Sequence, residues 1–169
     1  EEGADEKGAE YARKKPEIVR ASMAEFTKDR YGVDVMKVEV PINMKCVEGA
    51  ASFAGAKAYT RDEAKRLILD VAKAATRPFI YLSAGVSNAE FTESLALAAE
   101  SGVKYSGVLC GRATWKDGIS VYAKLGGDAF RAWLETKGVE NIGNVNAAIR
   151  PASPWFSFYG ARSADELAE

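Results

Sequence analysis

The chain has 169 residues, 23 Lys plus Arg against 24 Asp plus Glu, and is 47% hydrophobic, the composition of one soluble globular domain. A formal net charge of −1, with no long basic run, argues against nucleic acid or an anionic membrane surface as a partner. There is no histidine, which excludes every mechanism that needs an imidazole base or imidazole metal ligand from this chain.

Residues 1–14 are polar, and the amino end has neither an initiator Met nor the charged-then-apolar pattern of a signal peptide, so an internal start in a longer polypeptide is expected. Lys15-Pro16-Glu17 supplies a proline suited to the first helical position, and a helix is predicted from there to Tyr31-Gly32 with Val19, Met23 and Phe26 on its buried face. Residues 33–40, nearly continuous in apolar character and stopped by Pro41, predict a strand covered on both faces. Thr60-Arg61-Asp62-Glu63 is a capping-box signature opening a helix to about Ala75, and Phe79-Ile80-Tyr81-Leu82 reads as a second strand. Ser87-Asn88-Ala89-Glu90 opens the next helix, which carries Phe91, Leu95 and Ala98 and ends at Gly102; residues 106–110 form the third strand. Helical patterns follow over 119–125, 128–136 and 141–149, then Pro151 and an aromatic tail.

Strands alternating with helices imply βαβ units and a parallel sheet. Three strands cannot close a barrel, and a (β/α)8 barrel takes about 250 residues, so the pattern fits either a small open α/β layer or part of a larger barrel. No apolar run approaches the roughly 20 residues of a membrane helix. Cys46 and Cys110, the two cysteines, lack CxxC spacing, which disfavours a structural zinc site and fits a reduced, cytoplasmic setting.

Lys37 is the first candidate for chemistry. Alternation puts Val33, Val35, Lys37 and Glu39 on one strand face. A lysine there points into an apolar interior, where a desolvated amine becomes a nucleophile for Schiff-base formation with a ketone. A Lys37–Glu39 pair satisfied at the strand end is the competing reading. Ser83-Ala84-Gly85 after the second strand and Gly111-Arg112 after the third form a second constellation: small residues let backbone N–H groups approach an anion, and arginine supplies a fork matching phosphate oxygens. Both lie at carboxyl ends of parallel strands, where α/β folds bind ligands. Turn glycines and a surface arginine explain the same residues structurally. Lys45 and Glu48 fall in the loop after the lysine strand, within reach of a ligand or simply solvated; Trp115 fits packing better than a stacking role, and Cys110 fits a small buried hydrophobe.

Three strings taken together, Val33-Asp34-Val35-Met36-Lys37-Val38-Glu39-Val40-Pro41 with Asn43-Met44-Lys45, Tyr81-Leu82-Ser83-Ala84-Gly85-Val86-Ser87, and Gly107-Val108-Leu109-Cys110-Gly111-Arg112-Ala113-Thr114-Trp115, resemble the tagatose 1,6-bisphosphate aldolase family of class I aldolases from about Lys15 to Ile149. The resemblance implies a (β/α)8 barrel that cleaves a ketohexose bisphosphate to dihydroxyacetone phosphate and glyceraldehyde 3-phosphate through a lysine imine, with no metal or other cofactor. Lys37 then takes the imine-forming position on the sixth strand, Ser83 and Gly85 the phosphate-binding end of the seventh, and Gly111 and Arg112 that of the eighth. Strands one to five have no counterpart, and with them goes the fifth-strand glutamate that transfers protons; Glu1 and Glu2 fall beyond that strand and are not assigned its role. The expected fold is therefore the carboxyl-terminal portion of a TIM barrel: a polar segment over 1–14, a partial barrel of three parallel strands with flanking helices over 15–150, and a tail over 151–169. The expected partners are a small sugar phosphate and either the missing amino-terminal barrel half or further copies of the chain. An aldolase for another substrate, such as a sulfonated ketose phosphate, and a non-catalytic sugar-phosphate-binding module are the rival functions.

Overall fold

The computed structural model describes residues 8–167; the expectations placed on Glu1 and Glu2 lie outside them. In chain order the helices are α1 (Ala9–Phe26), α2 (Arg61–Ala72), α3 (Asn88–Glu100), α4 (Gly111–Trp115), α5 (Gly118–Trp133) and α6 (Val139–Ala148). The strands are β1 (Met36–Glu39), β2 (Val47–Glu48), β3 (Tyr59–Thr60), β4 (Phe79–Leu82) and β5 (Val108–Leu109). Strands β1, β4 and β5 form a three-stranded parallel sheet in the order β1-β4-β5, as the alternating pattern predicts. The short parallel pair β2–β3 has no period-2 signature in the sequence and is held inside the long loop that follows β1.

Register decides which side chains share a face. Met36 pairs with Phe79 and Val38 with Tyr81, while Lys37 pairs with Ile80 and Glu39 with Leu82; Leu82 continues the second row to Leu109. The first row is packed into the core with Ile68, Leu95 and Tyr105, and Phe79, Tyr81 and Tyr105 form a run of ring contacts at 5.3 and 5.2 Å. The second row is more open: Lys37 and Glu39 are exposed, and Leu109 is 49% exposed. The expectation of a strand covered on both faces is therefore corrected. Helices pack over one face, and the other is only partly covered: α1 reaches it through the Lys15–Glu39 ion pair, and Ile80 and Leu82 are half-buried.

The amino-terminal helix also differs from its prediction. It begins at Ala9, and Pro16 lies inside it. Ala12, Pro16, Val19 and Met23 are its buried residues, spaced 4, 3 and 4, so the apolar stripe runs straight through the proline and packing offsets the lost backbone hydrogen bond, a cost of about 3 kcal/mol. Phe26 is exposed rather than buried and leans on Tyr31 at 5.1 Å between ring centroids.

The caps follow the sequence more closely. Thr60 and Glu63 form a complete capping box, and Ser87 accepts the N–H of Glu90 at 3.1 Å. Gly102 takes the left-handed conformation after α3 with φ 75°. Beyond α4, α5 is interrupted at Gly126, where the sequence shows a gap between two helical patterns, and Tyr122 and Phe130 meet edge to face across that break at 6.0 Å.

Tyr105 is fully buried, and its hydroxyl has no hydrogen-bond partner among the described residues. Replacing a buried, unpaired polar group by an apolar one of the same shape is neutral or stabilising, so Tyr105→Phe is expected to raise stability by about 1 kcal/mol. Urea unfolding with an unchanged m-value checks it.

Candidate active site

The carboxyl ends of β1 and β4, with the loops after them, surround a cleft of about 640 Å³ whose lining includes Lys15, Asn43, Lys45, Ser83, Gly85 and Lys116. Its floor is a tight turn. Ser83 N–H donates to the Leu109 carbonyl and Val86 N–H to the Ser83 carbonyl, both at 3.1 Å. The two residues between, Ala84 and Gly85, have φ 50° and 82°. Ala84 is the one described non-glycine residue at positive φ, which costs about 1–3 kcal/mol and occurs most often at ligand-binding positions.

Gly85 has a further constraint. A Cβ placed on it would come within 3.1–3.3 Å of the Arg112 guanidinium, so the arginine lies directly over the glycine backbone. The structure thus brings together Ser83, Gly85 and Arg112, as the spacing of the two motifs suggests, with Gly111 at the start of the same short helix. Arg112 itself does not line the cleft; Lys116, one turn further along, does, and its Nζ donates to the Gly85 carbonyl at 2.7 Å.

Lys37 is placed differently from its prediction. It does not point into an apolar interior: it stands on the open face of the sheet, exposed, in a groove of about 470 Å³ lined also by Val38 and residues of α1. That groove and the cleft share Tyr11, Lys15, Glu39 and Leu82. Nor does Lys37 pair with Glu39. The Glu39 carboxylate is 3.0 Å from Lys15 Nζ, whose side chain is only 16% exposed, and this ion pair stands where the two hollows meet. Ser83 lies three residues beyond Ile80, the β4 partner of Lys37, or roughly 10 Å along the strand direction.

Of the weaker candidates, Glu48 forms a surface pair with Lys57 at 2.6 Å. Lys45 reaches the cleft and sits 3.6 Å from the Glu90 carboxylate, whose side chain is 7% exposed. Burial pushes the Cys46 and Cys110 thiols up from their ordinary values, which disfavours the thiolate and agrees with the reading of Cys110 as a small hydrophobe. Three cleft residues went unnoticed in the sequence: Lys15, taken there as a helix start, Glu90, taken only as a capping residue, and Lys116. The i, i+4 spacing of Arg112 and Lys116 on one helix is the signal that could have found the last.

The family model described as DeoC/LacD family aldolase matches residues 3–117. The chain belongs to that family. The match takes in β1, β4, β5 and α4, and so every strand end that borders the cleft. The chain is 51% identical over 158 residues to the tagatose 1,6-diphosphate aldolase of Listeria monocytogenes serotype 4a (strain HCC23), covering 93% of this chain and 46% of that protein. To the tagatose 1,6-diphosphate aldolase 2 of Streptococcus pyogenes serotype M1 it is 48% identical over 153 residues, covering 90% of this chain and 46% of the relative. The chain therefore spans about half the length of the curated relatives it matches. No helix among the described residues is long and apolar enough to cross a membrane.

Proposed function

We propose that this chain forms the carboxyl-terminal portion of a (β/α)8 barrel aldolase, and that Lys37 is its imine-forming lysine. The observation that carries the reading is the two-sided character of the sheet. One face is packed under helices and the other, bearing Lys37, Glu39 and Leu109, is largely open, with Lys15 of α1 reaching it only at Glu39. A barrel interior is such a face before the remaining strands close over it. The preceding strands of the barrel would cover Ile80, Leu82 and Leu109 and desolvate Lys37, which is the change its chemistry requires.

In this reading the neutral Lys37 amine adds to the ketone carbon of a sugar phosphate, and loss of water leaves a protonated imine. A base removes the proton from the hydroxyl two carbons away, the carbon–carbon bond between them breaks, and its electron pair moves onto the imine as an enamine. An aldehyde departs. Protonation of the enamine and hydrolysis then return dihydroxyacetone phosphate and free Lys37. No carboxylate among the described residues is assigned the proton transfer; Glu39 is held by Lys15 and Glu90 by Lys45. The phosphate is proposed to sit at the 83–86 turn with Arg112 as its fork. The names of the relatives point to tagatose 1,6-bisphosphate as the first substrate to try.

Two measurements test the reading. Release of dihydroxyacetone phosphate from tagatose 1,6-bisphosphate, in a chelator-containing buffer and lost on borohydride treatment only when substrate is present, is the expected behaviour; cleavage that borohydride does not touch would contradict it. Arg112→Ala is expected to weaken phosphate binding by about 2–4 kcal/mol, read mainly as a rise in KM, with Arg112→Lys recovering only part. Unchanged kinetics would return Arg112 to the surface.

The placement of Lys37 outside the cleft that holds Ser83 favours one other reading, a non-catalytic sugar-phosphate-binding module. It predicts phosphate binding at the turn with no covalent adduct.

A further inference from the structure

The sheet holds the ends of β4 and β5 in register as far as Ser83, whose N–H donates to the Leu109 carbonyl, but not the turn tip beyond it; we propose that Lys116 is a positioning residue, pinning the Gly85 carbonyl so that the 83–86 turn and Arg112 present one anion site. The inference rests on the phosphate site proposed above and adds the residue that assembles it. The turn is tied at its base, where Ser83 and Val86 make backbone hydrogen bonds. Its tip, Ala84-Gly85, is in a conformation that L-residues avoid and relaxes unless the surroundings hold it. Among the described residues the one side chain that bonds the tip is Lys116, at 2.7 Å from the Gly85 carbonyl.

Lys116 can act as a clamp because its own helix is fixed. Ala113 is buried. Thr114 offers its carbonyl to Asn141 Nδ2 at 2.9 Å, and Asn141 is itself buried and accepts from Asn88 at 2.9 Å through its carbonyl. The N–H of Lys116 caps the same helix on the Arg112 carbonyl at 3.0 Å. A lysine spends one of three donors on the carbonyl and keeps its charge at the cleft wall. The Gly85 backbone lies beneath the Arg112 guanidinium, so closely that a Cβ there would meet it at 3.1–3.3 Å. With the carbonyl held on the α4 side and the Ser83 and Val86 N–H groups already bonded, the N–H groups of Ala84 and Gly85 are left for an anion.

The test is a titration of ¹⁵N-labelled protein with inorganic phosphate, following the Ala84 and Gly85 amides. In the unsubstituted protein both should shift saturably. Lys116→Met is expected to move the Gly85 amide resonance before any phosphate is added and to raise the phosphate Kd about tenfold, the size of one lost charge-assisted contact. Lys116→Arg should restore both, and unchanged far-UV dichroism in each variant shows that the fold survives. If Lys116→Met leaves the Kd unchanged, the proposal is wrong. It is equally wrong if the Kd rises while the ligand-free Ala84 and Gly85 amides stay in place, because Lys116 would then be a direct counter-charge and not a positioning residue. The titration does not involve Lys37, so a failed imine with intact phosphate binding overturns the aldolase reading alone. An unsubstituted protein that binds no phosphate overturns both.

Discussion

Lys37→Met is expected to lower aldol cleavage by roughly 10⁴-fold or more, with phosphate affinity unchanged, because it removes the nucleophile and none of the groups at the 83–86 turn. The substitution is mild for the fold. Lys37 is exposed on the open face of the sheet, it is the partner of Ile80 in the β1–β4 register, and Met keeps an unbranched chain there. Lys37→Arg should fail equally, since a guanidinium stays protonated and cannot add to a ketone. Steady-state cleavage with a parallel phosphate titration separates the two effects. Residual activity within tenfold of the unsubstituted protein would move the imine to another lysine.

Tyr81→Ala is expected to cost about 3–5 kcal/mol, the largest stability loss predicted for a single residue here. Tyr81 is 1% exposed, at the centre of the helix-covered row of the sheet and between the rings of Phe79 and Tyr105. Against a typical total of 5–15 kcal/mol, that loss puts the variant near the edge of folding. Burial also pushes the Tyr81 phenol well above its ordinary value, so it stays neutral across the working pH range. Tyr81→Phe, which keeps the ring, should cost about 1 kcal/mol or less. Thermal unfolding of the pair checks the contrast, and similar losses in both would show that the hydroxyl carries the effect.

Much of the fold was legible because the signals were local. Thr60 and Glu63 cap α2 as their spacing requires, Gly102 adopts its left-handed turn, and the β-branched and aromatic runs at 33–40 and 79–82 contain the two longest strands. Pro16 misled because its preference for a first helical turn is local, whereas the stripe from Ala12 to Met23 that carries the helix through it is a packing effect. The environment of Lys37 misled for a different reason. Strand alternation sorts side chains into two faces, but how far each face is covered depends on elements elsewhere in the chain, and the described residues leave Lys37 exposed. The closeness of the Ser83–Gly85 turn to Arg112 was readable from the two motifs. The Lys116 bond to Gly85 was not, since it joins residues 31 apart that no periodicity relates.

The imine at Lys37 is tested by borohydride reduction in the presence of dihydroxyacetone phosphate, on protein whose barrel is complete, followed by peptide mass mapping. A reduced adduct is expected on the peptide that carries Lys37 and none on those carrying Lys15, Lys45 or Lys116. An adduct on any of those three, or no adduct at all, would contradict it.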